Sequence, residues 1–269
     1  MDECKIKYPI GLALSGGSIK GFAHLGVLQY LDEQEMSPSI IAGTSAGALM
    51  GAFYADGFTP QEIFEIFSDQ GFMGMTTFRP LDGGVFDTSK FVRFIKSKLR
   101  TQRLEALSIP MRIVATDLDR GAQHVFTHGP LAEIITASCS IPVLFNPMQI
   151  EGTTYVDGGL FRNFPASVIR SNCDYLIGMN LGPWQDSMDY PKTIMGVAER
   201  SWEFVFRQNT LHDRELCDLL LESNQVSQYG MFAVSSATEI MRLGYALAAE
   251  RITREALEYR ISSKSNESV

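Results

Sequence analysis

A chain of 269 residues with 45% apolar side chains is long enough to bury an α/β core, and one domain is the default expectation. Its formal charge of −8 argues against nucleic acid as the main partner, because phosphate binding needs clustered Lys and Arg. Met1-Asp2-Glu3-Cys4-Lys5-Ile6-Lys7 has no hydrophobic signal core, and no apolar run reaches the roughly 18 residues of a spanning helix, so a soluble, cytoplasmic protein is expected. Cys4, Cys139, Cys173 and Cys217 are widely separated, with no CxxC pair and no Cys/His cluster of zinc spacing. They read as reduced packing residues, and neither a metal nor a cofactor is expected.

Ile10-Gly11-Leu12-Ala13-Leu14 reads as a short buried strand running straight into Ser15-Gly16-Gly17-Ser18-Ile19-Lys20-Gly21, with a helix following from about Phe22 to Gln34. Strand, glycine-rich loop and helix invite a nucleotide-binding reading, but the spacing fails both tests. A dinucleotide fingerprint needs GxGxxG where Ser18 intervenes, and the GxxxxGK of a P-loop is absent. The alternative is an oxyanion hole, in which the loop's backbone N–H groups face a carbonyl oxygen as it gains negative charge. Lys20 either locks this loop, adds positive potential, or is a solvated lysine at a helix start.

Ser39 to Ala42 is the second buried strand. It ends at Gly43-Thr44-Ser45-Ala46-Gly47, after which Ala48 to Ala55 reads as helix. This pattern predicts a nucleophile elbow, a sharp strand-to-helix turn that projects the Ser45 hydroxyl because Gly43 and Gly47 have no side chains to collide. A tight turn capped by Ser45 is the competing interpretation. Two parallel strands joined by one helix form a right-handed βαβ unit, which places the Gly16-Gly17 loop and Ser45 at the same carboxyl edge.

Farther along, Thr59 and Glu62 have the capping-box spacing at the start of a helix to about Ser68. Residues 71–86 lose all periodicity; with Met73, Met75, Phe78 and Gly83-Gly84 they suit either a flap over a hydrophobic substrate or a packed connecting loop. A helix from Asp87-Thr88-Ser89-Lys90 to about Leu99, a strand from Pro110 to Asp117, an antiparallel partner over 123–127 and a helix from Leu131 to Cys139 follow. Gln149 to Gly152 and Thr153 to Val156 resemble a hairpin that delivers Asp157-Gly158-Gly159 at a strand end. Asp157 could reach another loop from there, or could form an ordinary Asp-Gly turn. Asp82-Gly83-Gly84 is the same tripeptide with no strand before it. Asp117 and Asp119 read as turn formers. After a fourth strand, 174–180, the chain reads as mostly helical. A long helix from Glu239 to about Arg260 carries Ile240, Leu243, Leu247 and Ile252, a stripe for packing within the chain or against a second copy, and 262–269 is polar and frayed.

A serine nucleophile needs a base, yet none of His24, His124, His128 and His212 sits in a context that commends it. His24, one turn into the first helix, could complete a triad or could be packing. At this point three ordered blocks resemble those of the patatin-like phospholipases: Ser15 to Gly21 with Ala23-His24-Leu25-Gly26-Val27-Leu28, then Gly43 to Gly47, then Tyr155 to Gly159. Ala115-Thr116-Asp117-Leu118, Ala137 to Pro142, and Asn163 with Pro165 match more weakly. The resemblance covers about residues 8–180, leaving a mostly helical part over 190–262.

The resemblance implies a three-layer α/β/α fold with a mostly parallel sheet and a Ser-Asp dyad in place of a triad. Ser45 would be the nucleophile, Asp157 the base, and Gly16, Gly17 and Ser18 the N–H donors to the oxyanion; Lys20, Gly21, Gly43, Gly47, Gly158 and Gly159 would support the motifs. Ser18 departs from the family's usual third glycine. The implied activity is a lipid acyl hydrolase working through an acyl-serine. A thioesterase or acyltransferase using the same serine, or a non-catalytic scaffold, are the alternatives. A lipid substrate further implies peripheral contact with a bilayer or micelle, although no amphipathic basic helix identifies a docking surface.

Overall fold

A computed structural model describes residues 7–68, 77–78, 83–183, 192–230 and 233–266. The first half follows the order β1 (Tyr8–Leu14), α1 (Phe22–Glu33), β2 (Ile40–Thr44), α2 (Ala46–Ala55), α3 (Pro60–Ser68), β3 (Thr77–Phe78), β4 (Gly84–Asp87), α4 (Ser89–Lys98), β5 (Met111–Asp117) and β6 (Ala122–Phe126). The second half continues with α5 (Leu131–Cys139), β7 (Val143–Phe145), β8 (Met148–Ile150), β9 (Thr153–Asp157), α6 (Gly159–Arg162), α7 (Ala166–Ile169), β10 (Cys173–Asn180), α8 (Ile194–Gln208), α9 (Leu211–Glu215), β11 (Leu219–Glu222), α10 (Asn224–Ser227) and α11 (Ala237–Asn266).

The main sheet has the order β11-β10-β1-β2-β5-β9-β8. Its strands β11, β10, β1, β2 and β5 are parallel, whereas β9 and β8 run back antiparallel, and β6 pairs antiparallel with β5. Alternation along the central strands shows that both faces are covered. Ile10, Leu12 and Leu14 enter one core with Ile41, Ile177 and Met179, together with side chains of α1, α2, α5 and α11. Ala13, Ile40, Ala42 and Leu176 point the other way, into a second core with Phe164, Ala166 and Ile169, against which Leu216 and Cys217 pack. Strands buried on both faces read as continuous apolar runs, which is why β1 and β2 are visible in the sequence. Every residue of α2 is buried, as expected of a helix that is apolar all round. The architecture is therefore three layers, helices on each side of a largely parallel sheet.

The capping box forms as its spacing predicts: Thr59 N–H donates to Glu62 Oε2 at 2.7 Å, and Glu62 N–H to Thr59 Oγ1 at 3.2 Å. The irregular stretch expected over 71–86 needs correction where it is described; its residues 71–76 and 79–82, with Met73, Met75 and Asp82, lie outside the described residues, as does Cys4. β3 pairs antiparallel with β4, and β4 runs parallel to β7, joining this stretch to the segment after Ile141. The part beyond 180 is not helical throughout, since Leu219–Glu222 adds the edge strand β11 beside β10. Helix α11 continues to Asn266, past the expected frayed start at 262.

The stripe on α11 packs within the chain: Ile240 and Ile252 are buried, and Leu243 and Leu247 lie against the main core. The crossing of α11 with α1 is made by two glycines. A Cβ on Gly26 would sit 2.1 Å from the Met241 carbonyl oxygen, and one on Gly244 2.1 Å from that of Ala23, so the helices touch backbone to backbone. Gly244→Ala is expected to destabilise the fold by about 1–3 kcal/mol through overpacking, read as a lower urea midpoint. Among the described residues no helix is long and apolar enough to cross a membrane.

Candidate active site

β6 lines one edge of β5 from Ile113 to Asp117. β2 and β9 therefore share the other edge, end to end: Thr44 lies opposite Val114 and Asp157 opposite Ala115. The last residues of two strands running in opposite directions thus meet at adjacent positions of β5. This juxtaposition brings Ser45, the residue after β2, to Asp157, the last of β9.

Ser45 has φ 51° and ψ −120°, a left-handed backbone that strains an L-residue. The turn is tight enough that a Cβ on Gly47 would lie 2.2 Å from the Leu14 carbonyl oxygen, which explains the glycine there. The Ser45 side chain makes no capping hydrogen bond to α2. Its backbone N–H donates to Ser138 Oγ at 2.8 Å. Ser45 is thus an elbow residue whose hydroxyl is not engaged in holding the helix.

Asp157 is 1% exposed. Its Oδ1 accepts the Gly159 N–H at 2.7 Å, closing the Asp-Gly-Gly turn, and its N–H donates to the Ser140 carbonyl at 2.8 Å. Oδ2 has no hydrogen-bond partner among the described residues. Burial pushes the Asp157 carboxyl up to about 7, while the Ser45 hydroxyl and the Gly159 N–H pull it back. A carboxyl poised near neutrality beside a serine is suited to taking and returning a proton. The buried thiol of Cys139 borders the same pair; desolvation and the Asp157 charge push it well up, against the pull of the Ser45 hydroxyl.

The glycine-rich loop lies over these residues and is tied on both flanks. His24 Nε2–H donates to the Ser15 carbonyl at 2.8 Å, and Leu181 N–H to Ser15 Oγ at 2.9 Å. The Gly16 N–H donates to the Asn163 carbonyl at 2.9 Å, so the expectation that Gly16 also serves an oxyanion is corrected: its donor is engaged. A small cavity of about 50 Å³ is lined by Gly17, Ser18, Lys20, Ser45, Asp157 and Asn163, with Ile141, Glu203 and Phe206. Ser18 shares the left-handed φ of 51° at the position where a glycine would be unstrained. Gly21 packs on Ala46, and Gly158 on the Val114 carbonyl.

None of the histidines lines this cavity. His24 is fully buried behind the loop, and burial lowers it to about 4, so it is neutral. His124 packs against the rings of Phe126 and Tyr155, and His128 meets the Thr127 hydroxyl at 3.2 Å. Asp117 pairs with Arg120 inside its turn, as a turn former does, whereas Asp119 accepts the Thr154 N–H and ties that turn to β9. Sequence reasoning missed Glu203 and Phe206, contributed by α8, and Asn209, whose side chain binds the Asn163 N–H and the Gly159 carbonyl at 2.8 and 2.7 Å. Helix α8 carries no motif, and nothing in its apolar pattern signals which cavity it faces.

Comparison with known proteins gives the chain a family. Residues 12–169, more than half of the chain, match the family model "Patatin-like phospholipase". The chain is 32% identical over 189 residues to an uncharacterized NTE family protein of Mycobacterium tuberculosis, covering 66% of this chain and 52% of that protein. It is 31% identical over 215 residues to a patatin-like phospholipase domain-containing protein of Caenorhabditis elegans, covering 74% of this chain and 15% of that protein. Lysophospholipase NTE1 of Pyricularia oryzae is 28% identical over 214 residues, covering 75% of this chain and 14% of the relative. The chain thus spans about half the length of the mycobacterial relative and far less of the others. In fold it is similar to the crystal structure of VipD from Legionella pneumophila, with a TM-score of 0.52 and 14% identity over 91% of this chain and 66% of that one. With the elbow, the glycine-rich loop and the Asp-Gly-Gly turn assembled around one cavity, the chain belongs to the patatin-like phospholipase family.

Proposed function

We propose that this protein is a serine acyl hydrolase of phospholipase A or esterase type, with Ser45 as nucleophile and Asp157 as its base. The observation that carries the proposal is a strained, uncapped serine beside a buried carboxyl raised to about 7. Asp157 takes the Ser45 proton as Oγ attacks the ester carbonyl carbon. The N–H groups of Gly17 and Ser18 stabilise the oxyanion, with Lys20 adding positive potential. When the tetrahedral species collapses, the carbon–oxygen bond to the alcohol breaks, and Asp157 returns its proton to that oxygen. Water, deprotonated by Asp157, then attacks the acyl carbon; the bond from that carbon to Ser45 Oγ breaks, Asp157 returns the proton to Oγ, and the acid leaves.

Lipid esters are the substrate class that the family and the lysophospholipase relative support, and such substrates bring the enzyme to a bilayer or micelle as a peripheral visitor. Packing of α11 on α1 supports reading residues 1–269 as a single unit. The free thiols of Cys139, Cys173 and Cys217 fit a reducing compartment, and we place the enzyme in the cytoplasm.

The test uses a small fluorophosphonate on wild type and Ser45→Ala, with the adduct located by mass spectrometry. One adduct, on Ser45, is the expected result. Folded wild-type protein that takes no adduct overturns the proposal in favour of a non-catalytic role.

A further inference from the structure

We propose that Ser138 is a positioning residue that sets the attack geometry of Ser45, an inference that rests on the serine-hydrolase reading above. Ser138 is fully buried near the end of α5. Its hydroxyl has one proton, and the 2.7 Å contact with the Val114 carbonyl, which can only accept, assigns that proton to Val114. The lone pairs that remain receive the Ser45 N–H at 2.8 Å. A chain of hydrogen bonds therefore runs from the nucleophile's own backbone, through one side chain, to the strand along which β2 and β9 meet.

Two consequences follow from this chain. The φ of 51° at Ser45 is a conformation that persists only where the surroundings over-determine it, and Ser138 supplies a hydrogen bond to the strained peptide itself. The same bond engages the Ser45 N–H, which leaves the developing oxyanion to the Gly17-Ser18 loop rather than to the nucleophile's own amide. The end of α5 also holds the base, since the Ser140 carbonyl accepts the Asp157 N–H at 2.8 Å. Nucleophile and base are thereby suspended from residues 138 and 140 of one helix end, and Ser138 reaches Ser45 through a single rotatable side chain.

The experiment compares full-length wild type, Ser138→Ala, Ser138→Cys and Ser138→Thr, using fluorophosphonate to count reactive sites and a short-chain p-nitrophenyl ester to measure turnover per counted site. Ser138→Ala is expected to lower the labelling rate constant and kcat per site by about 10–100-fold with KM within about twofold, the signature of a misplaced nucleophile with an intact binding wall. The acid-limb midpoint stays that of wild type, because Asp157 keeps its surroundings, and Ser138→Thr, which retains the hydroxyl, recovers most of the rate. A purely structural role would reduce the number of reactive sites and the melting temperature while leaving the rate per site unchanged. That outcome in Ser138→Ala, or in Ser138→Cys if the alanine variant does not fold, overturns the proposal. Wild type that takes no label overturns the serine-hydrolase reading as well as this one; labelled wild type with an unslowed Ser138 variant overturns this one alone.

Discussion

Ser45→Ala is expected to lower kcat/KM for a short-chain p-nitrophenyl ester by roughly 10⁴-fold or more, the scale on which removing a serine nucleophile acts. The side chain caps nothing, so the fold loses no hydrogen bond to α2 when the hydroxyl is removed. Circular dichroism and the melting temperature should therefore match wild type closely. Ser45→Gly serves as the companion variant. It is equally inactive, yet it should be more stable than Ser45→Ala by about 1 kcal/mol, because a glycine adopts the left-handed backbone of the elbow without strain. A Ser45→Ala protein with wild-type turnover would remove the nucleophile assignment outright.

The second large effect belongs to Asp157→Asn, in two measurements with opposite signs. Asparagine cannot accept the Ser45 proton, so turnover should fall by about 10²–10⁴-fold, the usual contribution of a general base. In wild type the acid limb of kcat/KM should have its midpoint near 7, where Asp157 ionises. Stability should move the other way. The folded carboxyl ionises near 7 and the unfolded one near 4, so the folded state holds the proton more tightly. That preference stabilises the fold fully below about 4 and is lost as pH rises through about 7. A neutral asparagine does not titrate, so its advantage over wild type should grow between about pH 4 and 7 and then level off, at about 4 kcal/mol at most. Melting curves that stay parallel across this window would show that Asp157 is not the titrating group. His24, neutral and bonded to the Ser15 carbonyl, provides a control: His24→Ala should leave the acid-limb midpoint in place.

Much of this site was legible in the sequence because it is written in local terms. Buried runs followed by glycine-rich turns define β1, β2 and the two loops they carry, and the parallel βαβ rule puts those loops at one edge. Asp157 was legible only in part. Its tripeptide is identical to Asp82-Gly83-Gly84, and only the strand before it tells the two apart locally; that it lies next to Ser45 depends on the pairing of β9 with β5 across a long stretch of chain, which no local pattern encodes. The same limit explains the correction at Gly16, whose N–H is engaged by Asn163, remote in sequence. Strand β11, Leu219-Leu220-Leu221-Glu222, does not stand out in a part that reads as mostly helical, because so short an apolar run carries no decisive period. Glu203 and Phe206 lay beyond reach for a different reason: an amphipathic helix declares that it has an inner face, not which cavity that face covers.

The glycine-to-glycine crossing of α1 and α11 also imposes an order on the assembly of this fold. Its two halves, Gly26 and Gly244, come from opposite ends of the described chain. On a ribosome β2, the glycine-rich loop and α1 are all exposed long before α11 appears. Until then the backbone groove at Ala23 and Gly26 has no cover, and the contact that closes it is among the most non-local in the fold. Such contacts form late and slowly, after loop closure over most of the chain. The nascent fold therefore carries the glycine-rich loop and the Ser45 turn for much of its synthesis on a scaffold that still lacks the α11 wall, and the backbone groove of α1 closes when α11 docks.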